Sequence, residues 1–348
     1  VRAVMDEVFG SENFCSLITF KTTSGAGSFA GGTNVLAAVN NYIVWYAKDL
    51  TQVKYRPLFR VKEAGGQGGG QYTWVEDERG DRRRLAGAAV AAGERLMRPA
   101  PLTSQTTRVG QTTVFPVDLD GVTYVPGKGG WKTNRTGMDR LTKARRLLPI
   151  GKTLTYVRYL NDFPAFPFTN LWEDTVTSGF ADAKVYVVQT NAKVIERCLL
   201  MTTDPGDLVI DPTCGSGTTA TVAEQWGRRW ITIDTSRVAL TLARQRIMAA
   251  KYPHYLLADS PEGQHKEYEV SGVTDTSATA DDVRKGFVYK RVPHVTLKSI
   301  ANNPDIVEGM SRAEIEAAIA RHADTELLFD QPYEENRKVR VAGPFTVE

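Results

Sequence analysis

The run Asp211-Pro212-Thr213-Cys214-Gly215-Ser216-Gly217-Thr218-Thr219 carries the most specific chemistry in the chain. An apolar run ends at Asp211, and the two glycines that follow lack side chains. The backbone can therefore turn sharply there, and a ligand can lie against it. A helix opening just beyond would present unpaired N–H groups. Two ligand classes fit this much. Gly215 to Ala220 satisfies the dinucleotide pattern G-x-G-x-x-A, and Asp234 stands 19 residues after Gly215, where a ribose-binding acid belongs. That spacing suits a nicotinamide dehydrogenase. Asp211 weighs the other way. Beside a pyrophosphate its carboxylate would meet like charge, unfavourable by roughly 1–4 kcal/mol at contact distance. Beside the ammonium of a methionine moiety it is attractive. S-adenosylmethionine has that ammonium and no phosphate, so the loop favours the methyl donor.

Two further acids end apolar runs. Asp234 closes ITID and would accept the ribose hydroxyls, or else serve as a turn residue before SRVAL. Asp259 closes HYLLAD and would lie near the adenine, or else act as a plain turn residue before Ser260 and Pro261.

These residues need elements to hold them. AKVIERCLL has a helical stripe of Ile195, Cys198 and Leu199, with Asn191 as N-cap. DLVID reads as a buried strand, TATVAEQWG as a helix ended by Gly227, and RRWITID as a second strand. SRVALTLARQRIMAA reads as a helix with Leu240, Ala243 and Ile247 in register, and HYLLAD as a third strand. That β-α-β-α-β order predicts a parallel, doubly wound α/β sheet. Earlier, VRAVMDEVF reads as a helix, NFCSLITFK as a strand and NNYIVWYAKD as a buried strand. Residues 50–175 have a different texture, with the loop AGGQGGGQY and short strands. Beyond 260, TSATADD reads as a linker, and Ser311 with Glu314 forms a capping box that starts a helix.

DPTCGSGTT resembles the cofactor motif of amino-methylating DNA methyltransferases, those acting on adenine N6 or cytosine N4, and residues 184–236 resemble them throughout. In that family a segment often written PTQKP precedes a helix and lies over the methionine end of the cofactor. The matching positions are Val187, Val188, Gln189, Thr190 and Asn191, without the usual Lys and Pro. This segment precedes the glycine loop, the permuted order called the beta class. GGWKTNRTGMDRLTKARRL through YLNDFPAFPFTNLWEDT resembles the adenine-methylating modification subunits of type III restriction systems.

The resemblance covers most of residues 1–260. It implies a Rossmann-like S-adenosylmethionine-dependent methyltransferase fold, mostly a parallel sheet with helices on both faces, incomplete here, with an inserted α+β target-recognition region. Residues 1–49 and 176–260 would belong to the catalytic domain, 50–175 to target recognition, and 261–348 to a C-terminal extension. The cofactor would be S-adenosylmethionine, held by Asp211 to Thr218, Asp234, Gln189, Thr190 and Asp259. The reaction would be methyl transfer to an exocyclic amine of DNA, adenine N6 ahead of cytosine N4. A DNA-binding or assembly module without catalysis is the alternative. Double-stranded DNA is the implied substrate, with a restriction subunit or a second methyltransferase copy as partner.

The family's catalytic Asp-Pro-Pro-Tyr is absent from this chain, and its place would be before the first helix. The look-alike Asp330-Gln331-Pro332-Tyr333 is expected to be a coincidental turn after a helix. Without the strand that carries the motif, DLVID should expose an apolar parallel edge, the two halves of the sheet should lack direct pairing, and the chain alone should be poorly stable and inactive.

Residues 128–158 hold nine basic side chains (Lys128, Lys132, Arg135, Arg140, Lys143, Arg145, Arg146, Lys152 and Arg158) against one acid, Asp139. Set beside a methyltransferase-like core, the stretch is a candidate phosphate-contacting surface, with Asn134 and Arg135 able to read base edges. Trp131 and Tyr156 interleave it. Alone, the same run would read as a solvated helix face. DRRRL at 81–85 reads as an exposed turn, and Trp172 and Asp174 as packing and capping residues.

With 42% hydrophobic and 24% charged residues, the 348-residue composition is that of an ordinary globular protein. A net charge of +3 discriminates little. No apolar run reaches the roughly 18 residues that span a bilayer. Three cysteines make no disulfide framework, which fits a cytoplasm, and no Cys/His spacing suggests a metal. The chain opens at Val1 in a helix already under way and stops inside the strand-like VRVAGPFTVE, as an internal portion of a longer protein would.

Overall fold

Helix starts follow local capping chemistry. Asn191, Ser236 and Ser311 each accept a backbone N–H from the first turn of the helices Ala192–Thr202, Arg237–Ala249 and Arg312–His322. Ser311 and Glu314 form the reciprocal capping box. The helix Thr218–Gln225 ends before Gly227, whose φ of +70° few other residues adopt. The computed structural model describes residues 1–23, 36–85, 87, 90–107, 112–127, 129–176 and 189–347. They form two compact units, one of residues 1–58, 167–290 and 328–348, the other of 59–166 and 291–327.

In the first unit, Leu208–Asp211 pairs in parallel with Arg229–Thr232, joined by the helix Thr218–Gln225. A strand's side chains alternate between faces. Trp230 turns to the helix side and donates its ring N–H to Glu224 at 3.0 Å. Leu208, Ile210, Ile231 and Ile233 turn to the other face and are all exposed. Among the described residues Leu208–Asp211 pairs with no second strand, so its other edge is open, as expected. Phe14–Lys21 lies in a separate sheet, antiparallel to Asn40–Tyr46 and parallel to Leu171–Trp172.

The expected doubly wound parallel sheet needs correcting. The chain is mixed α/β, and its sheets are mostly small and antiparallel. Tyr252–Tyr255, the expected third parallel strand, pairs antiparallel with Glu334–Arg340. That partner buries Tyr252, lays the Arg340 guanidinium 5.1 Å from its ring centroid, and fixes Arg340 to Glu224 at 2.6 Å. A strand partner some eighty residues downstream leaves no local signal. Asn40–Tyr46, expected to be buried, leaves Asn41 and Tyr42 exposed. Asp330 to Pro332 continue an extended strand, and Tyr333 bonds Val288 and Leu256 through its backbone, so the look-alike is no turn. Burial raises the Asp330 carboxyl.

The second unit is built on a five-stranded antiparallel sheet. Its order is Leu147–Ile150, Thr153–Tyr159, Arg95–Pro101, Trp74–Glu76, Arg82–Arg84. Leu154 and Tyr156 join a core with Trp131, Met138, Leu141, Ile300 and Ile315, while Val157, Tyr159 and Met97 pack on the opposite face. DRRRL, expected to be a turn, supplies the edge strand. The glycine loop 64–70 is shaped by its own backbone bonds, including Glu63 N–H to Gln67 and Tyr72 N–H to Gly69.

Candidate functional site

The glycine loop sits at the C-terminal end of the Leu208–Asp211 strand. Asp211 is half-buried, and its Oδ1 accepts the Thr213 N–H at 3.0 Å. That bond shapes the first turn of the loop. Among the described residues the carboxylate has no cationic partner. Cys214 is buried; burial pushes its thiol up, so it stays neutral as a filler of the loop. Pro212 and Thr213 are exposed.

Asp234 is bound into the loop's framework. Its Oδ2 accepts the Gly215 N–H and its Oδ1 the Ser236 N–H, each at 2.8 Å. The N–H groups of Ser236 and Gly215 hold its carboxyl below the ordinary range. Each oxygen keeps a second lone pair for a hydroxyl donor. The two readings of Asp234 are thus compatible: it orients the loop and still offers acceptors.

Gly217 has φ +75°, and a Cβ there would stand 2.7 Å from Cβ and 3.1 Å from Cα of Ala243. Ala239, Ala243 and Arg246 form one stripe of the helix Arg237–Ala249, at i, i+4 and i+7. Sequence reasoning passed over Arg246. Its Nη1 lies 3.0 Å from Thr218 Oγ1 and 3.4 Å from Ser216 Oγ. The signal was available, because Arg246 follows Ala243 by three residues and so continues the stripe that packs on the loop. We expect Gly217→Ala to destabilise the chain by about 2 kcal/mol or more, from left-handed strain plus the clash with Ala243. A urea midpoint unchanged from wild type would contradict this packing.

Asp259 has a different task. Its side chain is almost fully buried. Oδ1 accepts the Lys285 ammonium at 2.7 Å, and Oδ2 accepts the N–H groups of Ala280 and Asp282 at 3.2 and 3.1 Å. Lys285 is the largest cause of its lowered carboxyl pKa. Asp259 therefore pins the 276–282 segment, expected to be a linker, and its carboxylate is engaged in holding protein. Gln189 is half-buried and Thr190 exposed; Val187 and Val188 lie outside the described residues.

Trp172 is buried, as its packing role required. Asp174, expected to cap, instead binds Arg197 through two bonds of 2.9 and 2.5 Å. Arg197 lies 4.1 Å over the Phe168 ring and 5.4 Å over Trp172. An arginine on the buried side of an apolar helix stripe was the missed sign.

The basic stretch divides by exposure. Lys132, Asn134, Arg135, Arg145 and Lys152 are exposed, Arg140 and Lys143 half-buried, and Lys128 lies outside the described residues. Lys132 Nζ reaches the Pro101 carbonyl at 2.8 Å, Arg140 the Ala301 carbonyl at 3.1 Å, and Lys143 binds Asp139 at 2.7 Å. Asn134 caps the helix Arg135–Lys143 through Oδ1, which leaves its amide donors and the second lone pair of that oxygen for a base edge. Arg146 is not a surface group. It is buried and holds Asp162 through two bonds of 2.6 and 2.9 Å.

Residues 1–245 match the N6/N4 DNA methylase family, described as DNA methylase. The chain belongs to that family. It is 28% identical over 279 residues to the type II methyltransferase M.EcaI of Enterobacter cloacae, a match covering 73% of this chain and 51% of that protein. Over 56 residues it is 46% identical to the type II methyltransferase M2.DpnII of Streptococcus pneumoniae, covering 16% of this chain and 21% of the other. The chain thus spans about half the length of M.EcaI, and less of M2.DpnII. Among solved structures, the M1.HpyAVI–SAM complex matches with 25% identity and a TM-score of 0.20, covering 22% of this chain and 36% of that one. At that score the fold rests on the chain's own elements. Among the described residues no helix is long and apolar enough to cross a membrane, and no group of three or more His, Cys, Asp or Glu is placed to hold a metal.

Proposed function

We propose that this chain binds S-adenosylmethionine at the 211–218 loop and serves methyl transfer to an exocyclic amine of a DNA base, most favourably adenine N6, at a specific sequence. One observation carries the reading: the half-buried Asp211 carboxylate, at the strand tip, has a single N–H donor and no cation among the described residues. An α-ammonium would complete it. The cofactor's own carboxylate suits the N–H groups opening the helix Thr218–Gln225. Asp234 offers acceptors for ribose hydroxyls beside Gly215. The bound cofactor would supply an electrophilic methyl on sulfonium, and the chain's part is to hold and orient it. M.EcaI and M2.DpnII are type II methyltransferases, which supports the same reading. The exposed Lys132, Arg135, Arg145 and Lys152, with Arg140 and Lys143, are assigned to phosphates of double-stranded DNA, in a cytoplasmic restriction–modification setting.

Isothermal calorimetry with S-adenosylmethionine and with NAD tests the pocket. Heat from the methyl donor and none from NAD is the expected result; the reverse rejects the reading. Digestion of methylated duplex to nucleosides would then distinguish N6-methyladenine from N4-methylcytosine.

A further inference from the structure

Three cations of the second unit gather, and among the described residues no carboxylate is bonded to any of them. Arg158 and Arg98 stand opposite one another in register on neighbouring antiparallel strands. Side chains so paired project from the same face, with Cβ atoms roughly 4.5–5.5 Å apart, and like charges there are destabilising. Lys62 joins them. Its ammonium donates to the Phe163 carbonyl and lies 5.0 Å from the Phe163 ring centroid and 5.6 Å from that of Tyr72. The Arg98 guanidinium lies 5.6 Å from the same Tyr72 ring. All three residues are half-buried.

Their polar partners are neutral or missing. Arg98 donates to the side-chain carbonyl of Gln71, and its Nε is buried with no partner. Among the described residues Arg158 makes no side-chain hydrogen bond or ion pair, and no carboxylate pairs with Lys62 or Arg98. Asp162, an acid that acts on Lys62, is already held by Arg146. Burial first, then Arg158 and Arg98, push the Lys62 ammonium down to about 8. Like charges held opposite one another on a sheet lower its stability. An anion placed among them would reverse that effect.

We propose that Lys62, Arg98 and Arg158 form a phosphate-binding site, and that the phosphate it takes is a phosphodiester of the DNA backbone. The guanidiniums of Arg98 and Arg158 supply forked donors suited to phosphate oxygens, Lys62 a point charge, and the Tyr72 and Phe163 rings flank it. Lys62 and Arg98 lie outside the basic stretch read from the sequence, and Arg158 is its last member. The choice of DNA rests on the reading of the second unit as DNA-contacting; the anion site does not.

The test uses the full chain and its variants Arg158→Gln, Arg98→Gln and the charge-preserving Arg158→Lys. Thermal unfolding is followed in sodium phosphate and in sodium chloride of equal ionic strength. Binding to a duplex of arbitrary sequence is followed against salt. Without phosphate, Arg158→Gln and Arg98→Gln should melt at or above the wild-type temperature, because repulsion is relieved. Phosphate should raise the wild-type and Arg158→Lys midpoints more than those of the Gln variants. The slope of log affinity against log salt should fall by about 1 for each Gln variant and stay unchanged for Arg158→Lys. Equal phosphate response in all variants, with unchanged slopes, overturns the site. A lost phosphate response with an unchanged slope keeps the anion site but rejects DNA as its source. If wild type fails to bind duplex while phosphate still stabilises it through these residues, the DNA reading falls and the site takes free phosphate.

Discussion

Asp211→Asn is expected to weaken S-adenosylmethionine binding by about 10–100-fold while leaving the fold intact. The side chain keeps its shape, and the amide oxygen can still accept the Thr213 N–H that shapes the turn. Only the charge is lost. A carboxylate–ammonium contact near 4 Å is worth about 1–4 kcal/mol between the dielectric of water and that of a protein surface, and each 1.4 kcal/mol is about tenfold in affinity. Because Asp211 is half-buried, the middle of that range applies. Calorimetry gives the dissociation constant, and urea unfolding shows that stability is unchanged. Unaltered affinity would place the ligand's ammonium elsewhere. Asp234→Asn makes a useful contrast. It retains an acceptor on one side only, so either the Gly215 or the Ser236 N–H meets an amide donor, and stability should fall along with affinity.

Asp211 and its loop were legible because everything that defines them lies in adjacent residues: a strand, an acid, two glycines and a helix. The caps at Asn191, Ser236 and Ser311 were legible for the same reason. Asp234 and Asp259 show where legibility ends. Both close an apolar run, and in sequence they are equivalent. In the structure one carboxylate faces the Gly215 N–H, and the other faces Lys285, Ala280 and Asp282, more than twenty residues downstream. The Tyr252–Tyr255 strand was misassigned on the same grounds, since its hydrophobicity announces a strand but not which partner it takes or in which direction. Charge counting failed in one instructive way. It grouped Arg146 with Arg145, although the backbone between them sends one to solvent and the other to the core. Arg145 adopts a positive φ of 54°, which turns the chain between the helix and the next strand.

Asp162→Ala is expected to cost about 3–5 kcal/mol, the largest loss of stability among these predictions, because it strands a buried guanidinium. Arg146 and Asp162 are each about 4% exposed at the side chain and meet through two hydrogen bonds. Burial works against the guanidinium's charge, and Asp162 more than offsets it, holding the Arg146 pKa above its ordinary value. The same carboxylate accepts the Tyr159 N–H at 2.7 Å, so removing it also frees a backbone donor at the end of a core strand. Arg146 also packs 4.4 Å from the Tyr159 ring centroid and donates toward the Val157 carbonyl at 3.4 Å. A paired replacement, Arg146→Met with Asp162→Leu, should recover much of the loss, since the ions vanish together and apolar volume remains. Urea unfolding of the two single variants and the double variant yields the coupling. If Asp162→Ala unfolds at the wild-type midpoint, or the double variant is no better than the single, the pair is not the internal brace of this sheet.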